Sequence, residues 1–162
     1  AEDTSSSATA QGTAFPKFEG SDLEGNPVDN SLFAGNAFTV VNFWFNGCSP
    51  CVGELPALQK LHDSLQEKGG AVVGINVETL DENEDTIAAA KEIMKKQGAS
   101  YQNIYFDSDS EAGKLALSVM TFPTSVLIDS EGNIVGDVIV GGLDNEKTMA
   151  SVQKQIDEIL AK

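Results

Sequence analysis

Two cysteines separated by two residues are the best candidates for chemistry in this chain. They form the run Cys48-Ser49-Pro50-Cys51, and no other position of the 162 holds a cysteine. On a helix Cys51 would lie about one turn after Cys48, close enough to form a small disulfide ring. Such a pair can attack a substrate disulfide with one thiolate and resolve the mixed disulfide with the other. The alternatives are two buried structural cysteines or half of a metal site.

The segments on either side of the pair favour redox chemistry. The apolar run Phe38–Phe45 predicts a buried strand, and leucines at helical spacing predict a helix after the cysteines. Cys48 would then lie at the amino end of a helix, where free N–H groups and the helix dipole favour a thiolate. Pro50 suits the first helical turn. Strand, Cys-x-x-Cys and helix in this order are typical of a redox motif, and His62 alone is too little to complete a zinc site. We expect no metal and no organic cofactor.

Glu54 is the candidate base for the second cysteine. It lies three residues after Cys51, hence on the same face of the predicted helix. Next to the apolar stripe its carboxylate would lose solvent, which raises the pKa of a carboxyl group towards the range useful for proton transfer. The alternative is an exposed first-turn glutamate that only complements the helix dipole.

The rest of the chain predicts an α/β domain with a central mixed sheet and helices on both faces. Asp81 and Glu84 have the spacing of a capping box ahead of a helix that ends near Gln97. Further predicted elements are an N-terminal hairpin around residues 22–28, strands at 71–77 and 103–106, a helix at 109–119, a hairpin of strands at 124–129 and 133–140, and a last helix from about Asp144.

Charge and the first residues bear on partners and location. Acidic residues outnumber basic ones 25 to 10, all ten of them lysine, for a formal charge of −15. Such a surface disfavours nucleic acid and anionic membrane surfaces as partners. Residues 1–14 are small, polar and without periodicity, which predicts a disordered tail before a folded domain at 15–162. That tail is either a plain chain end or a tether left after an export signal is removed.

The run Val41–Cys51 (VNFWFNGCSPC), followed by Glu54-Leu55-Pro56, resembles the TlpA/ResA-like branch of the extracytoplasmic thioredoxins. Those proteins resemble this chain in having asparagine at the Asn42 position, where thioredoxin usually has aspartate, and a glutamate three residues after the second cysteine. The resemblance covers Phe15 to the C-terminus. It implies a thioredoxin fold with an N-terminal hairpin extension and a central helix–strand insertion, and it implies that Glu54 is a buried acid.

The later run MTFPTS at 120–125 resembles the cis-proline loop of the superfamily. By this resemblance Pro123 is cis and lies opposite the cysteines, and the backbone of Phe122 pairs with the substrate. Ser49 and Pro50 would complete the substrate contact.

Trp44, four residues before the first cysteine, is expected either to shield the active site and contact substrate or simply to pack within its strand. The chain differs from the family in having Asn46-Gly47 in place of the usual aromatic residue before the first cysteine.

The resemblance implies a thiol–disulfide oxidoreductase that is exported, tethered to a membrane through its tail, and monomeric. It would reduce extracytoplasmic client proteins such as apocytochrome c or a methionine sulfoxide reductase, and a CcdA/DsbD-like membrane protein would recharge it. A thiol peroxidase of the peroxiredoxin type is an alternative. That class uses an arginine and a Thr or Ser three residues before its cysteine, whereas this chain has no arginine and has Phe45 there. A dithiol oxidase and a non-catalytic docking module also stay open.

Overall fold

The computed structural model describes residues 13–161, which form one seven-stranded mixed sheet with four α-helices and two 3-10 helices. The strands are β1 (Glu19–Asp22), β2 (Pro27–Asp29), β3 (Phe38–Trp44), β4 (Gly70–Asn76), β5 (Asn103–Tyr105), β6 (Thr124–Asp129) and β7 (Ile134–Val140). The α-helices are α1 (Ser49–Gln66), α2 (Glu84–Lys96), α3 (Glu111–Ser118) and α4 (Glu146–Leu160). The 3-10 helices span Asn30–Gly35 and Val77–Glu82.

The strand order in the sheet is β2-β1-β5-β4-β3-β6-β7. Strands β3, β4 and β5 are parallel to one another, whereas β6 and β7 add an antiparallel edge and β1 and β2 add the other. Every residue of β3 and β4 is buried, because these strands lie between two layers. The predicted mixed sheet, its N-terminal hairpin and its central α2–β5 insertion are confirmed.

Helices cover both faces of the sheet, as expected. On one face α1, α2 and α4 pack over the side chains of alternate β3 residues, among them Phe38, Val40 and Trp44. On the other face α3 and the two 3-10 helices pack over Val41 and Phe43. Because successive strand residues point to opposite faces, β3 contributes to both cores. Asn42 belongs to the same face as α1, which places an amide in that core.

The fold includes two residues of the expected tail. Ala14 forms an isolated bridge with Asn133, and the Thr13 carbonyl accepts the N–H of Ile134 at 2.8 Å. Thr13 and Ala14 are therefore part of the domain, since they satisfy backbone groups beside the β6–β7 turn. Residues 1–12, the remainder of the expected tail, lie outside the described residues. No helix within residues 13–161 combines the length and the apolar character that a membrane crossing needs.

The start of α2 differs from the prediction. Its N-cap is Asn83, whose side chain accepts the N–H of Thr86 at 3.1 Å. The capping box from Asp81 to Glu84 is wrong because the Asp81 carboxylate instead accepts the N–H of Ser108 at 2.8 Å. Asp81 also has a φ of 65°, which lies in the left-handed region and turns the chain before α2 begins.

Candidate active site

The two cysteines form a disulfide at the junction of β3 and α1, with their Cα atoms 5.2 Å apart. Cys48 is the N-cap of α1, and its Sγ accepts the N–H of Cys51 at 3.2 Å. The Cys48 N–H in turn donates to the Phe45 carbonyl at 3.1 Å and closes a turn between strand and helix. The first sulfur therefore lies at the positive end of the helix dipole, as the sequence predicted.

The two sulfurs differ in accessibility. Cys51 has no exposed surface, whereas Cys48 is 6% exposed and is flanked by the exposed Ser49 and Pro50. Pro50 lies in the first turn of α1, where its missing N–H leaves no hydrogen bond unmade. A substrate sulfur can therefore contact Cys48 from solvent, whereas the fully buried Cys51 offers it no surface.

Glu54 is fully buried on α1, three residues after Cys51, which excludes the alternative of an exposed first-turn glutamate. Its Oε1 accepts the N–H of Leu143 at 2.7 Å, and its Oε2 accepts an N–H of the Asn42 side chain at 2.9 Å. Burial raises the pKa of Glu54 to about 7, against the two hydrogen bonds, which lower it; the nearby Asp144 carboxylate raises it further. A carboxyl group with this pKa exchanges protons near neutral pH.

Asn42 connects Glu54 to the strand that follows the proline loop. Its Nδ2 donates to Glu54 and also to the Ser125 hydroxyl at 3.0 Å, whereas its Oδ1 is buried without a partner among the described residues. Sequence reasoning used Asn42 only as a mark of the family. The signal that could have found its role is a single amide in an otherwise apolar strand, because a buried amide needs a polar partner.

The Phe122–Pro123 peptide bond is cis. The Pro123 carbonyl accepts the N–H of Gly141 at 2.9 Å, which joins the loop to the end of β7. The half-buried ring of Phe122 stands perpendicular to the ring of Phe45, with centroids 5.1 Å apart. Phe45 precedes the cysteine turn, so this aromatic pair links the proline loop to the segment that carries Cys48.

Trp44 does not lie where a substrate contact requires it. It has no exposed surface, and its indole N–H donates to the Asn103 side chain at 2.7 Å. Alternate residues of a strand share a face, so Trp44 points into the core under α1 together with Phe38 and Val40. This burial supports the strand-packing alternative, because a side chain with no exposed surface offers none to a substrate.

Two exposed apolar side chains near the proline loop were missed by sequence reasoning. Met120 is 92% exposed, and Val140 is 59% exposed. Val140 pairs with Thr124, which itself pairs with Phe43 near the end of β3, so this surface lies at the cysteine end of the sheet. Single exposed apolar residues are common, and what distinguishes Val140 is its position at the cysteine end of the sheet.

Comparison with known proteins agrees with this geometry. Residues 11–136 match the AhpC/TSA family. Thiol-disulfide oxidoreductase ResA of Bacillus thuringiensis subsp. konkukian (strain 97-27) is 28% identical over 151 residues, which cover 93% of this chain and 77% of that protein. ResA of Bacillus subtilis (strain 168) is 29% identical over 126 residues, 78% of this chain and 65% of that protein.

Solved structures place the fold in the same group. The thioredoxin domain of a thiol-disulfide oxidoreductase from Bacteroides vulgatus has a TM-score of 0.70 at 28% identity and covers 90% of this chain and 96% of its own. A putative thiol:disulfide interchange protein DsbE from Chlorobium tepidum has a TM-score of 0.73 at 25% identity, with 93% and 98% covered. With the Cys48–Cys51 disulfide at the head of α1, these matches show that the chain belongs to the AhpC/TSA family and is a ResA-like thiol–disulfide oxidoreductase of the thioredoxin superfamily.

Proposed function

We propose that the chain works as a reductase of client disulfides, with Cys48 as the nucleophile, Cys51 as the resolving thiol and Glu54 as the base for Cys51. The observation that supports this division of roles is the difference in accessibility between the two sulfurs. Cys48 meets solvent, whereas Cys51 is buried on α1 three residues before a buried carboxyl group whose pKa is about 7.

The proposed cycle moves two electrons from the dithiol to the client. The Cys48 thiolate attacks one sulfur of the client disulfide; a mixed disulfide forms, and the other client sulfur leaves as a thiolate and takes a proton from water. Glu54 then accepts the proton of the Cys51 thiol, and the resulting thiolate attacks Cys48. The second client thiolate leaves and is protonated, and the Cys48–Cys51 disulfide remains. A base with a pKa of about 7 suits this proton transfer at neutral pH.

Clients would dock on the surface between the first cysteine and the proline loop. Ser49 and Pro50 are exposed on one side, and Met120, Phe122 and Val140 present apolar surface on the other. In this proposal the backbone of Phe122 pairs with an extended client segment, which brings the client disulfide to Cys48. Pro123, whose only backbone polar group accepts the N–H of Gly141, would shape the loop without competing for that pairing.

The identity of the partners rests on the likeness to ResA. The proposed clients are extracytoplasmic proteins, with apocytochrome c and methionine sulfoxide reductase as candidates, and the proposed electron donor is a CcdA/DsbD-like membrane protein. The chain would be exported, would stay at the membrane through its N-terminal tail, and would act as a monomer. The charge of −15 supports clients with a basic surface, because opposite charges speed the encounter.

Reduction of insulin disulfides, coupled to a reducing partner, tests the activity. We expect the native chain to reduce insulin and both Cys48→Ser and Cys51→Ser to fall to the uncatalysed background. We also expect Cys51→Ser to accumulate a mixed disulfide through Cys48. Client function that survives Cys48→Ser would indicate a docking module instead.

Two further measurements separate the remaining alternatives. Hydrogen peroxide consumption that is faster than insulin reduction would favour the thiol peroxidase. A reduction potential of about −120 mV, which is typical of a strong periplasmic oxidant, would favour the dithiol oxidase over the reductase.

A further inference from the structure

The turn before Cys48 is held by the 3-10 helix Val77–Glu82 and by α2. The Asn46 N–H donates to the Glu78 carboxylate at 2.7 Å. The Asn46 side chain accepts from the Asn76 amide at 2.8 Å and donates to the Thr86 carbonyl at 3.2 Å. The N–H and the side chain of this residue are thus fixed by the segment that runs from the last residue of β4 to the first turn of α2.

The carboxylate of Glu78 is also connected to the backbone of Cys48 through hydrogen bonds. It binds the N–H of the peptide group between Phe45 and Asn46, and the carbonyl of that same group accepts the N–H of Cys48 at 3.1 Å. One peptide group and two hydrogen bonds therefore separate the carboxylate from the Cys48 backbone. A chain of hydrogen bonds that ends on an anion is polarised along its length, which strengthens each bond and carries negative potential towards Cys48.

Three carboxyl groups belong to the segments that carry or contact the two cysteines. Glu54 lies on α1 three residues after Cys51, the Asp144 carboxylate raises the pKa of Glu54, and Glu78 binds the turn before Cys48. Within residues 13–161 the ion pairs are Lys68–Asp157, Lys91–Glu24 and Lys114–Glu111, so no lysine there neutralises Glu78. A fixed negative charge near a thiol disfavours its ionised form, in opposition to the dipole of α1.

We propose that Glu78 is a positioning residue that tunes the redox pair: its carboxylate holds the turn before Cys48, and its charge disfavours the Cys48 thiolate and makes the pair more reducing. This inference rests on the proposed function, because a reductase benefits from a dithiol that gives up its electrons readily. In the exchange with glutathione, the Cys48–Cys51 disulfide is reduced to two thiols while two glutathione thiols are oxidised to one disulfide. Stabilising the thiolate favours the dithiol side of this equilibrium.

The variant Glu78→Gln separates charge from geometry, since its amide oxygen can still accept the Asn46 N–H. Glu78 is exposed, and charges near a protein surface interact weakly, so we expect the midpoint of Cys48 alkylation against pH to fall by roughly half a unit. Above that midpoint the glutathione equilibrium should shift about threefold towards the dithiol, or about 14 mV at 29.6 mV per tenfold change. Both differences should shrink in about 1 M salt, where the screening length is about 3 Å.

Glu82→Gln is the matched control, because Glu82 is an exposed glutamate in the same 3-10 helix and has no hydrogen bond to the turn among the described residues. We expect it to leave the alkylation midpoint where it is. Glu78→Ala, which removes both acceptor and charge, should shift the midpoint at least as far as Glu78→Gln. Equal midpoints for Glu78→Gln and Glu82→Gln would overturn the proposal, as would a shift in Glu78→Ala alone.

Alkylation is measured on the isolated chain without a client. An unchanged alkylation midpoint in Glu78→Gln would therefore contradict only the role of Glu78, whereas a loss of insulin reduction by the native chain would contradict the proposed function.

Discussion

Replacing Glu54 by glutamine should make the stability of the oxidised protein less dependent on pH. The introduced amide would keep the packing, and its oxygen could still accept the Leu143 N–H. Its new N–H groups would face Asn42, whose amide can rotate so that the unpartnered Oδ1 accepts them. The substitution thus removes the titration of a buried group while leaving its hydrogen bonds available, which isolates the energetic effect of the charge.

The magnitude follows from the pKa of Glu54, which is about 7 in the folded chain and near 4.5 in an unfolded one. Below pH 4.5 the carboxyl group is protonated in both states and contributes no pH-dependent term. Between pH 4.5 and 7 the folded state holds the proton more tightly, so the free energy of unfolding falls as pH rises. Above pH 7 the native chain contains a buried charge, and the difference of about 2.5 units corresponds to a loss of about 3 kcal/mol.

Urea unfolding of the disulfide form, from pH 4 to 9, measures this effect. Both cysteines are bonded in that form and do not titrate. We expect Glu54→Gln to gain about 3 kcal/mol on the native chain between pH 4.5 and pH 8. Glu67→Gln is the control, because Glu67 is exposed at the end of the same helix and its loss changes the net charge equally.

Parallel curves of unfolding free energy against pH for the native chain and Glu54→Gln would refute this reasoning. That result would mean that the buried carboxyl group keeps an ordinary pKa, and the proposed base for Cys51 would be ionised well below neutral pH. A Glu67→Gln curve that follows Glu54→Gln would instead assign the effect to net charge.

Two other residues give direct tests of the geometry. Trp44→Ala should lower the free energy of unfolding by about 3–5 kcal/mol, since it leaves a cavity and removes the hydrogen-bond donor to the Asn103 side chain. Trp44→Phe should leave the KM for insulin unchanged, because the indole has no exposed surface. A large rise in KM in a folded Trp44→Phe variant would indicate that this residue contacts substrate. Phe122→Ala should raise the KM for insulin several-fold with a smaller change in kcat. Its control is Leu160→Ala, which truncates an exposed apolar side chain at the last residue of α4. Equal effects of the two substitutions on KM would show that the proline loop is not part of the docking surface.

The elements of the fold were predictable where a local pattern determines them. The apolar run of β3 and the leucine spacing of α1 each follow from burial on one or two faces, and β3 ends one residue before the end of the predicted run. The start of α2 was not predictable in the same way. Asp81 and Asn83 are both good cap residues, and the choice between them depends on Ser108, which the fold brings to Asp81 from 27 positions away.

The site shows the same division between local and distant information. The spacing of Cys48, Cys51 and Glu54 along one helix made a buried acid one of two alternatives, and the family resemblance implied it. The groups that hold this acid come from elsewhere: Leu143 is 89 positions away in sequence and contributes only a backbone N–H, which almost any residue type could supply. No sequence pattern marks such a donor, so the hydrogen bonds of Glu54 could be found only in the structure.

The pairing of Ala14 with Asn133 fixes the direction from which the polypeptide enters the domain. Asn133 follows the end of β6 that pairs with Phe38, whereas the cysteines follow the other end of β3, at Trp44. The length of β3 is about 20 Å. The chain therefore enters the described domain at the end of the sheet that is remote from its two sulfurs, so the point of entry does not compete with a client for the cysteine end.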